Sequence, residues 1–180
     1  MQDTSLSCYM DGLYAYAMVL TRNPSEASDL VQETYTRALK GQESLRPSSN
    51  IKSWLFTILR NIWLNELRRL RSVPKMAEFD GQEGVADKVV AHTDDPHDVY
   101  IKKLECQRVR AAIAQLPAEF REIVILREYE ELSYSEIANV LQCPVGTVMS
   151  RLARARSKLG DLLSISQEPL PTENERTVDQ

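Results

Sequence analysis

Leu132–Leu159 reads LSYSEIANVLQCPVGTVMSRLARARSKL, two helical patterns parted by a Gln142-Cys143-Pro144 break. Ser133 can accept from a free amide at a helix start, and Glu136, three residues on, can reach back as in a capping box. Ile137, Ala138, Val140 and Leu141 supply an apolar stripe. Pro144 suits the first position of the next helix, where its missing N–H costs nothing. At about 100° per residue, Val148, Leu152, Ala155 and Leu159 fall together, with Val145 at their edge, and should pack on the domain. Thr147, Ser150 and Arg154 lie opposite, beside Gly146, Ala153 and Ser157. Arg151 and Lys158 flank that face on one side and Met149 on the other. This is the sequence form of a helix-turn-helix whose second helix enters the major groove. A solvated basic helix would share the pattern, but not the capped first helix, the Pro start and the absence of acids from Pro144 to Gly160.

Composition narrows the setting. The chain has 180 residues, 43% hydrophobic and 27% charged, with six glycines, which fits a helical protein of one domain or two small ones. No apolar run reaches the ~20 residues of a membrane span, and the first residues lack a charged-then-apolar pattern, so no signal sequence is expected. The expected location is the cytoplasm, without membrane insertion. The net charge of −4 is unusual for a free-standing DNA binder, because phosphate neutralisation supplies most of its affinity. Bases are segregated instead. Lys52–Lys75 holds six against one acid, whereas Glu78–Glu105 holds eight acids against three bases. Such a chain should bind DNA weakly alone and act with a larger partner.

Working outward, Met10–Arg22 is helical, with Leu13, Tyr16, Ala17 and Leu20 on one side. Asn23 can cap the next helix, with Pro24 at its first position and Glu26 completing a box. That helix, to about Leu39, should bury Ala27, Leu30, Val31, Tyr35, Ala38 and Leu39, leaving Asp29, Gln32, Glu33 and Thr36 outside. After a Pro- and Ser-containing loop, Ile51–Arg71 carries a broad apolar arc of Leu55, Phe56, Ile58, Leu59, Ile62, Trp63, Leu67 and Leu70. Thr57, Asn61, Asn65 and Arg68 cluster opposite, with Trp54 at their border. Amides, an aromatic ring and bases together suit single-stranded nucleic acid, where unstacked bases need edge partners and a π-face. For either tryptophan alone, a place in the core is the more ordinary reading. Val73-Pro74 ends this unit. An acidic linker follows, then a helix from about His97 to Gln115 with Val99, Leu104, Val109, Ala112 and Ile113 facing the core. After Leu116-Pro117, Phe120, Ile123, Val124 and Leu126 lead into the helix-turn-helix.

The expected fold is all-α, with two small helical domains joined by an acidic flexible linker. The boundaries are 1–75, a linker over 76–98, a helix-turn-helix domain over 99–163 and a disordered tail over 164–180. No glycine-rich phosphate loop, metal-ligand spacing or nucleophile with a histidine partner occurs, so neither an enzyme nor a cofactor or metal site is expected. Cys8, Cys106 and Cys143 lack CxxC spacing and read as reduced thiols. His92 and His97 make no ligand pattern with them.

Four stretches resemble the sigma-70 family of sigma factors, in its compact extracytoplasmic-function group. They are Asp29–Tyr35 (DLVQETY), Trp54–Asn61 (WLFTILRN), Leu116-Pro117 with Arg121-Glu122 through Arg127, and Leu132–Arg151. Together they span nearly the whole chain in the family's order. The resemblance implies two sigma domains, the first sigma-2-like and the second sigma-4-like, with core RNA polymerase, promoter DNA and an anti-sigma factor as partners. It implies that Asp29, Gln32 and Glu33 dock on the β′ clamp helices and that the β flap is a further contact. Asn61 and Asn65, with Trp54 beside them, would recognise and melt the −10 element, with Arg60, Arg68 and Arg69 near the DNA backbone. Thr147, Ser150, Arg151 and Arg154 would form the −35 reading face. The linker would thread polymerase near the RNA exit path. One departure is Met149, where the family often has a base, so a −35 contact is missing or apolar. Two other readings remain at this point: an operator-binding regulator, and an interaction protein whose basic helices meet acidic partners. The first leaves the Asp29–Tyr35 and Trp54–Asn61 helices without a role.

Overall fold

A computed structural model describes residues 6–42, 50–72 and 96–165, without the side chains of 72 and 96–102. Most of the acidic linker, His92, the side chains of His97 and Val99, and the tail beyond 165 lie outside the described residues. Every element among the described residues is helical.

A 3-10 turn, Leu6–Tyr9, leads into α1, Met10–Thr21. That helix stops where Arg22 turns left-handed (φ 55°) and returns its N–H to the Met18 carbonyl, a C-terminal cap that satisfies an orphan acceptor. Asn23 then caps α2, Pro24–Gly41, its Oδ1 accepting from the amides of Ser25 and Glu26. The expected reciprocal box is incomplete. Glu26 accepts from the Asn23 side-chain amide at 3.4 Å, because the Asn23 backbone N–H is already donated to Thr21 Oγ1. Asn50 accepts from the Ser53 amide at the start of α3, Ile51–Ser72.

Leu13, Tyr16 and Ala17 of α1, Ala27, Leu30, Val31 and Ala38 of α2, and Leu55, Phe56 and Leu59 of α3 form the first core. Each large side chain there contributes about 1.5–3 kcal/mol by leaving water. Thr34 is also buried, its hydroxyl donating to the Leu30 carbonyl one turn back, which lets a polar residue occupy an apolar stripe. Two leucines assigned to that stripe are outside it: Leu39 is 61% and Leu70 57% exposed. Position in the helix sets Leu70 apart. It stands in the last turn of α3, two residues before the helix ends, as Leu39 does in α2.

The second domain comprises α4, Pro96–Gln115, and α5, Ala118–Val124, which runs into a π-helical turn at Ile125–Tyr129. It continues with α6, Tyr134–Leu141, and α7, Val145–Ile165. Helix α4 starts at Pro96, inside the expected linker. It buries Ala112 and Ile113, whereas Leu104 is exposed; the first half of this edge helix lies ahead of its buried part. The widened turn ends with the Glu130 amide bonded to the Ile125 carbonyl and the Leu132 amide to that of Leu126. Arg121, 5% exposed, ties α4 to α5 by donating to the carbonyls of Ile113, Ala114 and Leu116.

The two domains pack face to face, α1 against α5 and α3 against α6. Their buried side chains form one continuous core from Leu6 to Ala155.

Candidate nucleic-acid interface

The helix-turn-helix is built as its residues require. Ser133 Oγ accepts from the Glu136 amide, and the Glu136 carboxylate accepts from the Ser133 amide at 2.7 Å, completing the capping box. The Ser133 hydroxyl also donates to the Glu136 carboxylate at 2.6 Å and, ahead of the Ser133 amide and the Asn50 side chain, holds that carboxyl below its ordinary pKa. Gln142 takes the left-handed conformation (φ 52°), and Cys143 returns its amide to the Ala138 carbonyl. Cys143 fills the turn half-buried, as a free thiol. Pro144 stands one place earlier than expected, before the first residue of α7, and its carbonyl accepts from Thr147 and Val148.

On α7, Val148, Leu152 and Ala155 are buried and Leu159 packs partly on the core, while Val145 is exposed. Ser150 and Arg154 face solvent and Thr147 is half-buried. The Ser150 hydroxyl turns back to the Thr147 carbonyl. The basic residues of this helix differ in state. Arg154 has no polar partner among the described residues, whereas Arg151 pairs with Glu119 of α5 at 3.4 Å. Arg156, unnoticed in the sequence, pairs with Glu128 at 2.7 Å. Met149 is 51% exposed, at the edge of the same face.

Helix α3 holds the second set. Asn65, Arg68 and Arg69 are exposed near its C-terminal end. Arg68 donates to Asn65 Oδ1, and Arg69 pairs with Glu66. Trp54 is half-buried, its ring against the core and 3.1 Å from where a Cβ on Gly41 would stand, so a larger residue there would require the ring to shift by a few tenths of an ångström. Arg60 and Asn61 point instead at the second domain. Arg60 pairs with Glu122 at 3.3 Å, and Asn61 Oδ1 accepts from Gln142 Nε2 at 3.2 Å. Burial pushes the Glu122 carboxyl above its ordinary pKa, against the opposing pull of Arg60 and, more weakly, Arg151. Tyr16, buried beside this pair, is raised chiefly by desolvation and then by Glu122. Its hydroxyl feels Arg60 electrostatically without reaching a geometrically sound hydrogen bond.

Helix α2 turns Asp29, Gln32 and Glu33 outward, all exposed, with Glu33 bonded to Arg37 one turn on. The structure thus brings together each of the three expected sets on one helix. It also supplies members that periodicity could not find: Glu122, Gln142 and Glu130, whose carboxylate lies 2.9 Å from Lys52 Nζ, carry no local signal for a contact with α3. No cluster of His, Cys, Asp and Glu able to hold a metal ion occurs among the described residues, and no described helix is long and apolar enough to cross a membrane.

Comparison with known proteins agrees with this layout. The family profile "Sigma-70 region 2" matches residues 6–73, and "Sigma-70, region 4" matches residues 106–159. The ECF RNA polymerase sigma factor EcfG of Rhodopseudomonas palustris (strain TIE-1) is 40% identical over 153 residues, covering 85% of this chain and 80% of that protein. The RNA polymerase sigma factor YlaC of Bacillus subtilis (strain 168) is 31% identical, over 89% of this chain and 90% of its own. Among solved structures, the sigma factor RpoE in complex with the anti-sigma factor NepR from Bartonella quintana superposes with a TM-score of 0.65 at 31% identity. That match covers 92% of this chain and 98% of the other.

Proposed function

The chain belongs to the sigma-70 family of RNA polymerase sigma factors, in its extracytoplasmic-function group, and from that premise we propose how its surfaces divide the work of transcription initiation. Residues 1–75 dock on core polymerase and take the −10 element, 76–98 link, 99–163 read the −35 element, and 164–180 form a tail. The exposed strip Asp29, Gln32 and Glu33 meets the basic β′ clamp helices, and the second domain meets the β flap. Thr147, Ser150, Arg151 and Arg154 read the −35 element as duplex. There an arginine can bond a guanine edge bidentately, and Met149 offers an apolar contact such as a thymine methyl accepts.

Asn61 and Asn65, with Trp54, hold bases extruded from the −10 element, and Arg60, Arg68 and Arg69 lie near its phosphates. Capture of flipped bases shifts the opening equilibrium toward melted DNA without nucleotide hydrolysis by this chain. It acts as a regulatory subunit in the cytoplasm, not as an enzyme. The relative of known structure from Bartonella quintana was solved with an anti-sigma factor, and a similar inhibitor is the expected partner here.

The observation that carries this reading is the outward strip on α2. A simple operator-binding regulator has no use for it, nor for the amide-and-arginine set on α3. The test is reconstitution: purified protein added to core RNA polymerase should produce promoter-specific transcripts that core alone does not make. Operator binding with no effect on core initiation would refute it in favour of the regulator.

A further inference from the structure

Helix α7 is not uniform around its exposed side. One flank carries bases, Arg151 and Lys158, beside the outward Ser150 and Arg154. The other flank is apolar. There Met149 is 51% and Val145 41% exposed, and residues four apart on a helix are surface neighbours. Ala153, also exposed, continues that flank one turn on from Met149. The next base along it, Arg156, is engaged elsewhere: its Nε and Nη2 both donate to Glu128 Oε1, at 3.1 and 2.7 Å. Gly146 lies between this flank and the outward face. A Cβ there would meet nothing within 4 Å, and its φ is not positive. Neither packing nor backbone conformation therefore asks for glycine, which helices accept less readily than any residue but proline. Methionine and valine left in water are surface that a partner gains by covering.

We propose that Val145 and Met149 together read thymine methyl groups, so that the −35 face has two halves. Ser150, Arg151 and Arg154 bond base edges and phosphates, and the apolar pair excludes water from thymine. This rests on the reading of α7 as the −35 helix and names what one side of it selects. The occupant follows from continuity, because the pair adjoins the exposed Ser150 and Arg154 within the stretch that matches sigma-70 region 4. The major groove of duplex DNA offers one apolar group, the C5-methyl of thymine. A base at 149 could bond a phosphate or a guanine edge; methionine gives that up, and its unbranched, polarisable side chain adapts to an apolar surface. Four residues advance about 6 Å along a helix, and base pairs are stacked about 3.4 Å apart. The two side chains can therefore serve thymines no more than about two steps apart. Gly146 lets the backbone beside them come close to the duplex, where a Cβ would stand in the way.

The test uses holoenzyme made from the full chain and core polymerase, with a duplex that it selects from a pool randomised across the −35 region. The selected duplex should hold thymines within about two steps of one another. Replacing either with deoxyuridine, which lacks only the methyl group, should weaken binding about fourfold. Met149→Ala should bind the thymine and uracil forms equally at one of these positions, and Val145→Ala at the other. Met149→Arg should lose the same discrimination, while log K against log salt steepens by about 0.9 for the phosphate gained. Gly146→Ala should keep or raise Tm and yet weaken duplex binding, a combination that a purely structural glycine would not give. Uracil forms that bind wild type as well as thymine forms, or a methyl effect that survives both alanine variants, would overturn the methyl contact and leave the −35 reading standing. A holoenzyme that selects no −35 sequence would overturn that reading and the methyl contact with it. A dimer of the free chain that Met149→Arg splits, with duplex affinity unchanged, would assign the pair to a second copy and overturn the DNA assignment.

Discussion

Arg151 and Arg154 lie on neighbouring parts of α7 but enter DNA binding from different starting states. Arg154 has no polar partner to give up among the described residues, so Arg154→Ala should lose the whole of its contact. A good bidentate base contact contributes about 1–3 kcal/mol, or about 5- to 140-fold in affinity. Arg151 must first leave Glu119, at 3.4 Å, with the two side chains 33% and 52% exposed. Exposed pairs of that kind are worth about 0.2–1 kcal/mol, and salt weakens them. Arg151→Ala should therefore cost less than Arg154→Ala by up to about fivefold. Glu119→Gln should release Arg151 and enlarge the effect of its removal by the same factor. The assay is competition binding of holoenzyme to a −35 duplex, with each arginine variant made both with Glu119 intact and together with Glu119→Gln, at two salt concentrations. A defect in Arg151→Ala equal to that of Arg154→Ala, unchanged by Glu119→Gln, would refute the argument that the intramolecular pair discounts this contact.

Three further outcomes are expected. Arg121→Met strips donors from three carbonyls; Ile113 keeps the Leu116 amide, but the buried Leu116 carbonyl is orphaned. The cost should be about 3 kcal/mol, read as a Tm lower by roughly 6–12 °C at about 2–4 °C per kcal/mol; a fall within 2 °C (about 0.5–1 kcal/mol) would argue against the clamp. Glu122 meets Tyr16, Arg60 and Arg151 from three other helices and Glu119 on its own. Because its pKa is raised in the folded chain, the folded state binds that proton more tightly than the unfolded one. Its contribution to stability is present in acid and lost as pH rises through the raised value, so Tm should fall with pH in that window, and Glu122→Gln should flatten the profile. Finally, Asn61→Ala should weaken −10 opening by holoenzyme; an unchanged permanganate footprint and transcript yield would remove Asn61 from base capture.

Much of the local architecture was legible because its causes are local. The Ser133–Glu136 box, the Asn23 cap before Pro24 and the apolar faces of α1, α6 and α7 depend on residues within one or two turns. The same periodicity erred at Leu39, Leu70, Leu104 and Val145, which lie on the right stripe but have too little neighbouring structure to bury them. A stripe states which face can be buried, and the length and position of neighbouring helices decide how much of it is. Thr34 is the converse case, a polar residue made tolerable in the core by a bond to its own helix. For the candidate interface, residue type and helical phase marked the exposed strip of Asp29, Gln32 and Glu33 and the exposed Arg154, but could not distinguish Arg154 from the paired Arg151.

The sequence by itself determined two all-α units, their caps, and which helices carry the bases and amides. Only the tertiary structure decided that Arg60 and Asn61 face the second domain while Arg154 faces solvent. The partners concerned are far apart in the chain: Arg60 and Glu122 by 62 residues, Lys52 and Glu130 by 78, Asn61 and Gln142 by 81. No helical period spans such a separation. Apolar burial brings the domains together without direction, and the charged groups that meet at their seam are selected by where that packing leaves them.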